Sequence, residues 1–172
     1  MIGAIMGTHS HHAEAFKSLN VAVLSVSSTR DLVSDTSGQW IVKQVGREGH
    51  HLADHQVVTD HVASIRRVLA HIISTAQPHA VIVTGGTGIT LKDVTLEAIQ
   101  PLFTKEMTAF GPVFAQLSFE QIDSAAILSR ATAGIIGRCV VFCIPGSLKA
   151  CKLACKALIF PELGHATKHL AE

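Results

Sequence analysis

Three polar stretches of this chain carry the residue types from which a phosphate-handling site can be built. The densest is Thr84-Gly85-Gly86-Thr87-Gly88, which places three glycines among four consecutive residues directly after the apolar run Ala80-Val81-Ile82-Val83. Without Cβ atoms, such a turn reaches left-handed backbone angles and lets its N–H groups approach an anion closely. Each charge-assisted bond from an N–H to phosphate contributes about 1.5–3 kcal/mol net, which suits a ligand with several phosphate oxygens. Thr84 and Thr87 add hydroxyls to the same turn. The glycines are also compatible with a tight turn that binds nothing. The stretch is not a Walker loop, because Gly88 is followed by Ile89-Thr90 rather than Lys-Ser/Thr, and the G-x-G-x-x-G spacing is absent. The second stretch is Asp35-Thr36-Ser37-Gly38. Asp35 together with Asp93, five residues beyond the glycine turn, forms a pair able to hold a hard cation such as Mg²⁺, which commonly takes one or two carboxylates plus substrate phosphates. The third is Pro145-Gly146-Ser147 with Lys149, where Ser147 suits a helix N-cap and the helix start and the lysine favour an anion.

These stretches need strands that end where they begin. Residues 20–27 form a nearly uncharged β-rich run that reads as a strand buried on both faces. The spacing of Trp40, Ile41, Gln44 and Val45 predicts a helix, residues 51–58 a second strand, and Val62, Ile65, Val68, Leu69, Ile72 and Ile73 a helix capped by Thr59 or Asp60. Residues 80–83 are a third strand, residues 94–103 one or two short helices interrupted at Pro101, and residues 110–126 a mainly helical stretch. Residues 131–136 and 138–144 read as a hairpin turning near Gly137, and the final helix buries Leu148, Cys151, Cys155, Leu158 and Ile159 until Pro161 stops or reorients it. Repeated strand-helix order with right-handed crossovers gives a parallel sheet covered on both sides, made mixed by the hairpin. In such sheets ligands bind beyond the carboxyl ends of the strands, where the three polar stretches fall. The expected organisation is an extension over residues 1–18, one domain over 19–164 and a tail over 165–172.

The composition agrees with one core and excludes several function classes. Of 172 residues, 48% are hydrophobic and 16% charged, so both sheet faces can be covered while little charge remains to coat a monomer, which leans towards a homo-oligomer. A net charge of +1 without Lys/Arg runs argues against general nucleic-acid binding. No apolar segment reaches the roughly 18–20 residues needed to span a bilayer. The four cysteines lack CxxC spacing and read as reduced, buried thiols of a cytoplasmic protein. His9, His11 and His12 make at most a weak metal binder, and His50, His51, His55 and His61 read as surface or interface histidines.

Taken in order, Asp35-Thr36-Ser37-Gly38, Thr84 to Gly88 with Asp93, Glu97-Ala98, Ser129-Arg130-Ala131 followed by Gly134, and Pro145-Gly146-Ser147 with Lys149-Ala150 resemble the MoaB/MogA family of molybdenum-cofactor biosynthesis proteins. The similarity covers about residues 19–162 and extends to the G domain of gephyrin. The resemblance implies a three-layer α-β-α sandwich with a mostly parallel, mixed central sheet that binds molybdopterin. In the family's active members it implies Mg²⁺-dependent transfer of AMP from ATP to the terminal phosphate of molybdopterin, giving adenylyl-molybdopterin and pyrophosphate. It further implies that Thr84, Gly85, Gly86, Thr87 and Gly88 cradle nucleotide or pterin phosphate, that Asp35 and Asp93 organise Mg²⁺ as the catalytic pair, and that Ser147 and Lys149 contact molybdopterin beside Ser37, Pro145 and Gly146. It also implies a trimer or hexamer, the hexamer favoured. The chain departs from the family at Pro112 and Ala115, where an acidic residue and an arginine often stand. That departure keeps open a second reading, an oligomer that binds or carries molybdopterin without chemistry.

Overall fold

In the computed structural model, which describes residues 18–172, the three apolar β runs become the centre of one six-stranded sheet. β1 (Asn20–Val26), β3 (Ala80–Thr84) and β6 (Cys139–Ile144) lie side by side and parallel, with β2 (His51–Val58) parallel to the outer side of β1. β5 (Thr132–Ile136) and the two-residue β4 (Lys105–Glu106) complete the other side through antiparallel pairings, in the order β2-β1-β3-β6-β5-β4.

The central strands are almost wholly apolar, Asn20, Ser25 and Thr84 standing near their ends, because successive side chains leave on opposite faces and both faces are covered. Val21, Val23, Ile82, Val140 and Phe142 enter one core, and Ala22, Leu24, Val83, Val141 and Cys143 the other. The first core is closed by Ile41 and Val45 of α1 (Thr36–Arg47), Phe110 and Phe114 of α4 (Phe110–Ile122), Cys151 of α5 (Leu148–Ala154) and Leu163 of α6 (Phe160–Ala171). The second is closed by Ile65, Leu69 and Ile72 of α2 (Val62–Thr75) and by Leu96, Ala98 and Ile99 of α3 (Thr95–Ile99). The result is the expected three-layer sandwich with a mixed sheet.

Three local expectations are corrected. The first residue before α2 is His61, which makes no side-chain cap, rather than Thr59 or Asp60. A tight turn with His61 N–H donating to Thr59 O at 2.8 Å occupies those two residues. The helical stretch from Phe110 breaks at Asp123, whose φ is 51°, and continues to Leu128 only as a 3₁₀ turn. Pro161 does not end the last helix. A π-turn over Cys155–Ile159 widens the backbone just before it, leaving the proline in the first turn of α6, where a missing N–H is tolerated. Residues 165–171, expected as a tail, are therefore helical, and Thr167 is buried. Except for Ser18, the extension with His9, His11 and His12 lies outside the described residues.

The topology fixes where a ligand can enter. From β1 the chain passes through α1 to β2 on one side, whereas from β3 it passes through α3 and β4 towards β6 on the other. The loops leaving β1 and β3 therefore diverge onto opposite layers and open a crevice at their carboxyl ends, the switch point at which open α/β sheets bind ligands.

Candidate active site

The loops after β1, β3 and β6 enclose a cavity of about 400 Å³ at that edge. Asp35, Ser37, Thr84, Gly85, Gly86, Thr87, Gly88, Asp93, Pro145, Gly146 and Ser147 all line it. Lys149 does not: it lies exposed on α5, sharing a separate groove with Gln121, Lys152 and Lys156. Spacings of three and four residues put these lysines on one outer helix face, opposite the buried Cys151. Ser25, Ser27, Thr29 and Arg30 join the lining without having been singled out in the sequence, and Ser129, which entered only as part of a family pattern, joins it as well. Another cavity, of about 480 Å³, opens at the opposite edge around Gln77, His79, Arg138 and Leu170, with no carboxylate in its wall.

The loops are held in close contact. Gly85 has φ of 99°, and a Cβ there would sit 2.4 Å from Val26 O, so only glycine lets the β3 loop pass the end of β1. Gly85 N–H donates to Ile144 O at 3.0 Å, tying the same turn to β6. The Thr84 hydroxyl donates to Pro145 O at 3.2 Å and the Ser37 hydroxyl to Gly146 O at 2.9 Å. These two hydroxyls and the Gly85 amide, expected to face a ligand, instead fasten the loops together.

What remains of the turn faces outward because its carbonyls are pinned. Thr95 Oγ1 donates to Gly85 O at 2.7 Å, and Thr95 N–H to Gly86 O at 2.9 Å. Arg130 donates from its backbone N–H to Thr87 O at 3.2 Å and from Nε to Thr87 O and Gly88 O at 3.1 and 3.0 Å. Its Nη2 reaches Asp93 O at 3.2 Å, and Glu97 grips the guanidinium with both carboxylate oxygens. In a planar trans peptide the N–H points away from the preceding C=O. Anchoring the carbonyls of residues 85–87 therefore turns the N–H groups of Gly86 and Thr87 away from Thr95 and Arg130, while the Gly88 N–H donates to the Asp93 carboxylate. Glu97 and Arg130 entered the sequence reading only as parts of a family pattern; the structure gives them this role.

The acidic and hydroxyl groups complete the site. Asp35 caps α1, its Oδ1 accepting from Gly38 N–H at 3.0 Å, and the residue is only 2% exposed. A Cβ on residue 38 would fall 2.0 Å from Asp35 Oδ2 and 2.5 Å from Ser25 Oγ, so the carboxylate holds this place only beside a glycine. Asp35 Oδ2, Ser25 Oγ and Thr87 Oγ1 are buried without a hydrogen-bond partner among the described residues, which is costly unless a ligand supplies one. His55 Nε2 approaches Asp35 Oδ2 at 3.6 Å, too long for a hydrogen bond, so one of the four histidines read as surface groups stands at the site. Asp93 accepts from Thr90 N–H and Thr90 Oγ1 at 2.9 and 2.7 Å. Desolvation works to raise the Asp93 pKa, but the Thr90 and Gly88 hydrogen bonds and the Arg130 charge outweigh it and hold the carboxyl below its ordinary value. A hard cation fits the unpartnered Asp35 oxygen and the ionised Asp93. Cys151 lies beneath the cavity, its Sγ 3.1 Å from Thr84 Oγ1; burial pushes its thiol pKa up, so it is no thiolate nucleophile.

A doubly wound, mixed α/β sandwich whose glycine turn and two aspartates line one cavity at its switch point is the class of protein that this fold and site define. Residues 21–165 match the family model described as a probable molybdopterin binding domain, and the chain belongs to that family. It is 43% identical over 166 residues to molybdenum cofactor biosynthesis protein B of Bacillus subtilis, covering 96% of this chain and 98% of the relative. With the Escherichia coli K12 protein of the same name it shares 38% identity over 148 residues, covering 86% and 87%. A crystal structure of a molybdenum cofactor biosynthesis protein B superposes with a TM-score of 0.88 at 40% identity, covering 92% of this chain and 99% of the other. The tungsten cofactor synthesizing protein MoaB from Pyrococcus furiosus gives 0.82 at 38% identity, covering 92% and 100%.

Proposed function

We propose that this chain serves molybdenum cofactor biosynthesis as a molybdopterin adenylyltransferase, joining AMP from ATP to the terminal phosphate of molybdopterin and releasing pyrophosphate. The names of its relatives support the pathway. The observation that carries the reaction is that the Gly86-Thr87 stretch of the glycine turn lines one cavity with Asp35 and Asp93. A phosphate oxygen of molybdopterin attacks the α-phosphorus of ATP, and the bond to the β-phosphate oxygen breaks. The chain's share is alignment and charge compensation rather than covalent catalysis. The turn amides bind phosphate oxygens, Thr87 Oγ1 donates to another, and Ser147 stands at the third wall. Asp35 and Asp93 would hold Mg²⁺, which when bound offsets the negative charge of the reacting phosphates.

The test is direct. Purified protein with ATP, Mg²⁺ and molybdopterin yields adenylyl-molybdopterin, and Asp93→Ala lowers the rate at least about 100-fold, the scale of losing one electrostatic group at a phosphoryl or acyl centre. No product from intact molybdopterin would end the proposal. The carrier reading rests on Pro112 and Ala115, both exposed on α4 and neither lining this chain's cavity, which favours the transferase. Saturable molybdopterin binding without ATP turnover would reverse that preference.

The same proposal includes a homo-oligomer, a hexamer before a trimer, in the cytoplasm. Phe119, Ile122, Ile127 and Leu128 stand exposed on α4 and the 3₁₀ turn after it, an apolar surface that supports association. The four cysteines are free, which suits a reducing compartment, and no helix among the described residues is long and apolar enough to cross a membrane. Native mass measurement decides the assembly.

A further inference from the structure

We propose that α6 carries a divalent transition-metal site formed by His165 and His169, at the opposite edge of the sheet from the cavity described above. The two residues are four apart and so share one helix face. Their rings stand 4.5 Å apart, with His165 Nε2 only 2.8 Å from His169 Nε2. The outer nitrogens are each backed by a carboxylate, His165 Nδ1 at 3.3 Å from Glu162 Oε2 and His169 Nδ1 at 3.4 Å from Glu172 Oε2.

An ionised carboxylate only accepts, so the tautomer with a proton on each Nδ1 suits both carboxylates and leaves each neutral ring a lone pair on Nε2, whereas with either ring in the other tautomer the 2.8 Å contact is an N–H···N hydrogen bond. Two lone pairs aimed at one another repel unless a cation lies between them. A shared proton can fill that place, but a transition ion does so while both rings stay neutral. Ligation at about 2.0–2.1 Å from each nitrogen needs only a few tenths of an ångström more separation than the 2.8 Å present.

Several features reinforce the assignment. Imidazoles whose second nitrogen donates to a carboxylate are the usual form of metal-bound histidine, because the carboxylate fixes the ring and raises its basicity. His169 lies in the last turn of α6, where the helix dipole favours positive charge. The side chains are 33% and 62% exposed, so ions can reach them. Among the described residues no third His, Cys, Asp or Glu completes a cluster with the two rings. Two imidazoles favour Cu²⁺, Ni²⁺ and Zn²⁺, whereas the all-oxygen aspartate pair at the cavity suits Mg²⁺. The two sites therefore sort metals by ligand type.

The test is a calorimetric titration of the full chain with Ni²⁺, paired with electron paramagnetic resonance of the Cu²⁺ form to count ligating nitrogens. His9, His11 and His12 are alternative ligands in the same chain, so the titration is repeated after His9→Gln, His11→Gln and His12→Gln are introduced together. One equivalent with a two-nitrogen signature is expected to survive that triple exchange and to disappear in His165→Gln/His169→Gln, whose far-UV spectrum stays native. Glu162→Gln with Glu172→Gln is expected to weaken binding about 10-fold. Unchanged affinity and stoichiometry in the His165→Gln/His169→Gln protein overturns the proposal, as does loss of the equivalent in the N-terminal triple variant alone.

Discussion

Gly85→Ala tests whether the site depends on close passage of its loops. The new methyl group would lie 2.4 Å from Val26 O, in a residue whose φ is 99°. A non-glycine residue held in that sparsely populated region costs about 1–3 kcal/mol. Forcing the β1 and β3 loops apart adds about another 1–3 kcal/mol, the usual scale of overpacking. The combined loss is a large part of a total stability of about 5–15 kcal/mol. At roughly 2–4 °C per kcal/mol for a domain of this size, the melting temperature falls by at least about 4 °C and by as much as about 24 °C. Gly46→Ala is the control of opposite sign. It sits in exposed helix with nothing within 4 Å of the added Cβ, so alanine raises stability by about 0.5–1 kcal/mol through helix propensity. Thermal melts of both variants, with ATP titration of each, supply the readout. The Gly85 variant also loses ATP affinity, because its displaced backbone carries the Gly86 and Thr87 amides with it. A Gly85→Ala protein that melts at or above the parent temperature would refute the close-contact reasoning, and so would an equal loss in both variants.

Arg130→Lys is expected to lower ATP affinity about 10-fold or more, because an ammonium cannot replace the forked bonds to Thr87 O, Gly88 O and Asp93 O; unchanged binding would deny Arg130 its role in shaping the turn. Asp93 has its pKa depressed on folding, so its contribution to stability is fully present above its unfolded value near pH 4 and is lost as pH falls through the lower folded value. Urea unfolding between pH 3 and 7 should accordingly show a shallower acid decline for Asp93→Asn; identical slopes would contradict the assignment. Burial pushes Cys139 up to about 12 and raises Cys143, Cys151 and Cys155 as well, so the native protein should resist thiol reagents at pH 8 while four thiols react after denaturation. Rapid labelling of any one of them in the native state would place it outside the core.

The strands and both core layers were legible because Val21 to Val26, Ala80 to Val83 and Cys139 to Ile144 have no polar alternation to disguise them. The three site loops were legible for a related reason: in a parallel sheet, the polar residues after a buried strand fall at one edge. What stayed hidden depends on contacts between distant residues. Nothing local marks Arg130 as the anchor of the carbonyls of residues 87 and 88, or His55 as the neighbour of Asp35, since each pair meets only once the sheet is assembled. Thr84 and Ser37 line the cavity, but their hydroxyls donate to carbonyls of the opposite loop, which no local pattern announces. Lys149 stands in a groove apart from the cavity, since proximity in sequence to Ser147 says nothing about which side of a helix a residue occupies. Of the two outcomes read for Pro161, stopping or reorienting the helix, the stop does not occur, and the π-turn that spares the helix leaves no trace in residue type.

The anchoring of the glycine turn by a residue 42 positions later has a consequence for how the protein is made. A ribosome extrudes the amino-terminal half first, so the turn emerges well before the segment that gives it its shape. A nascent chain stopped before Arg130 holds the glycines but has neither the guanidinium nor β6 to pair with β3. The shape of the turn is thus a property of the finished polypeptide, and truncated or half-folded copies lack it.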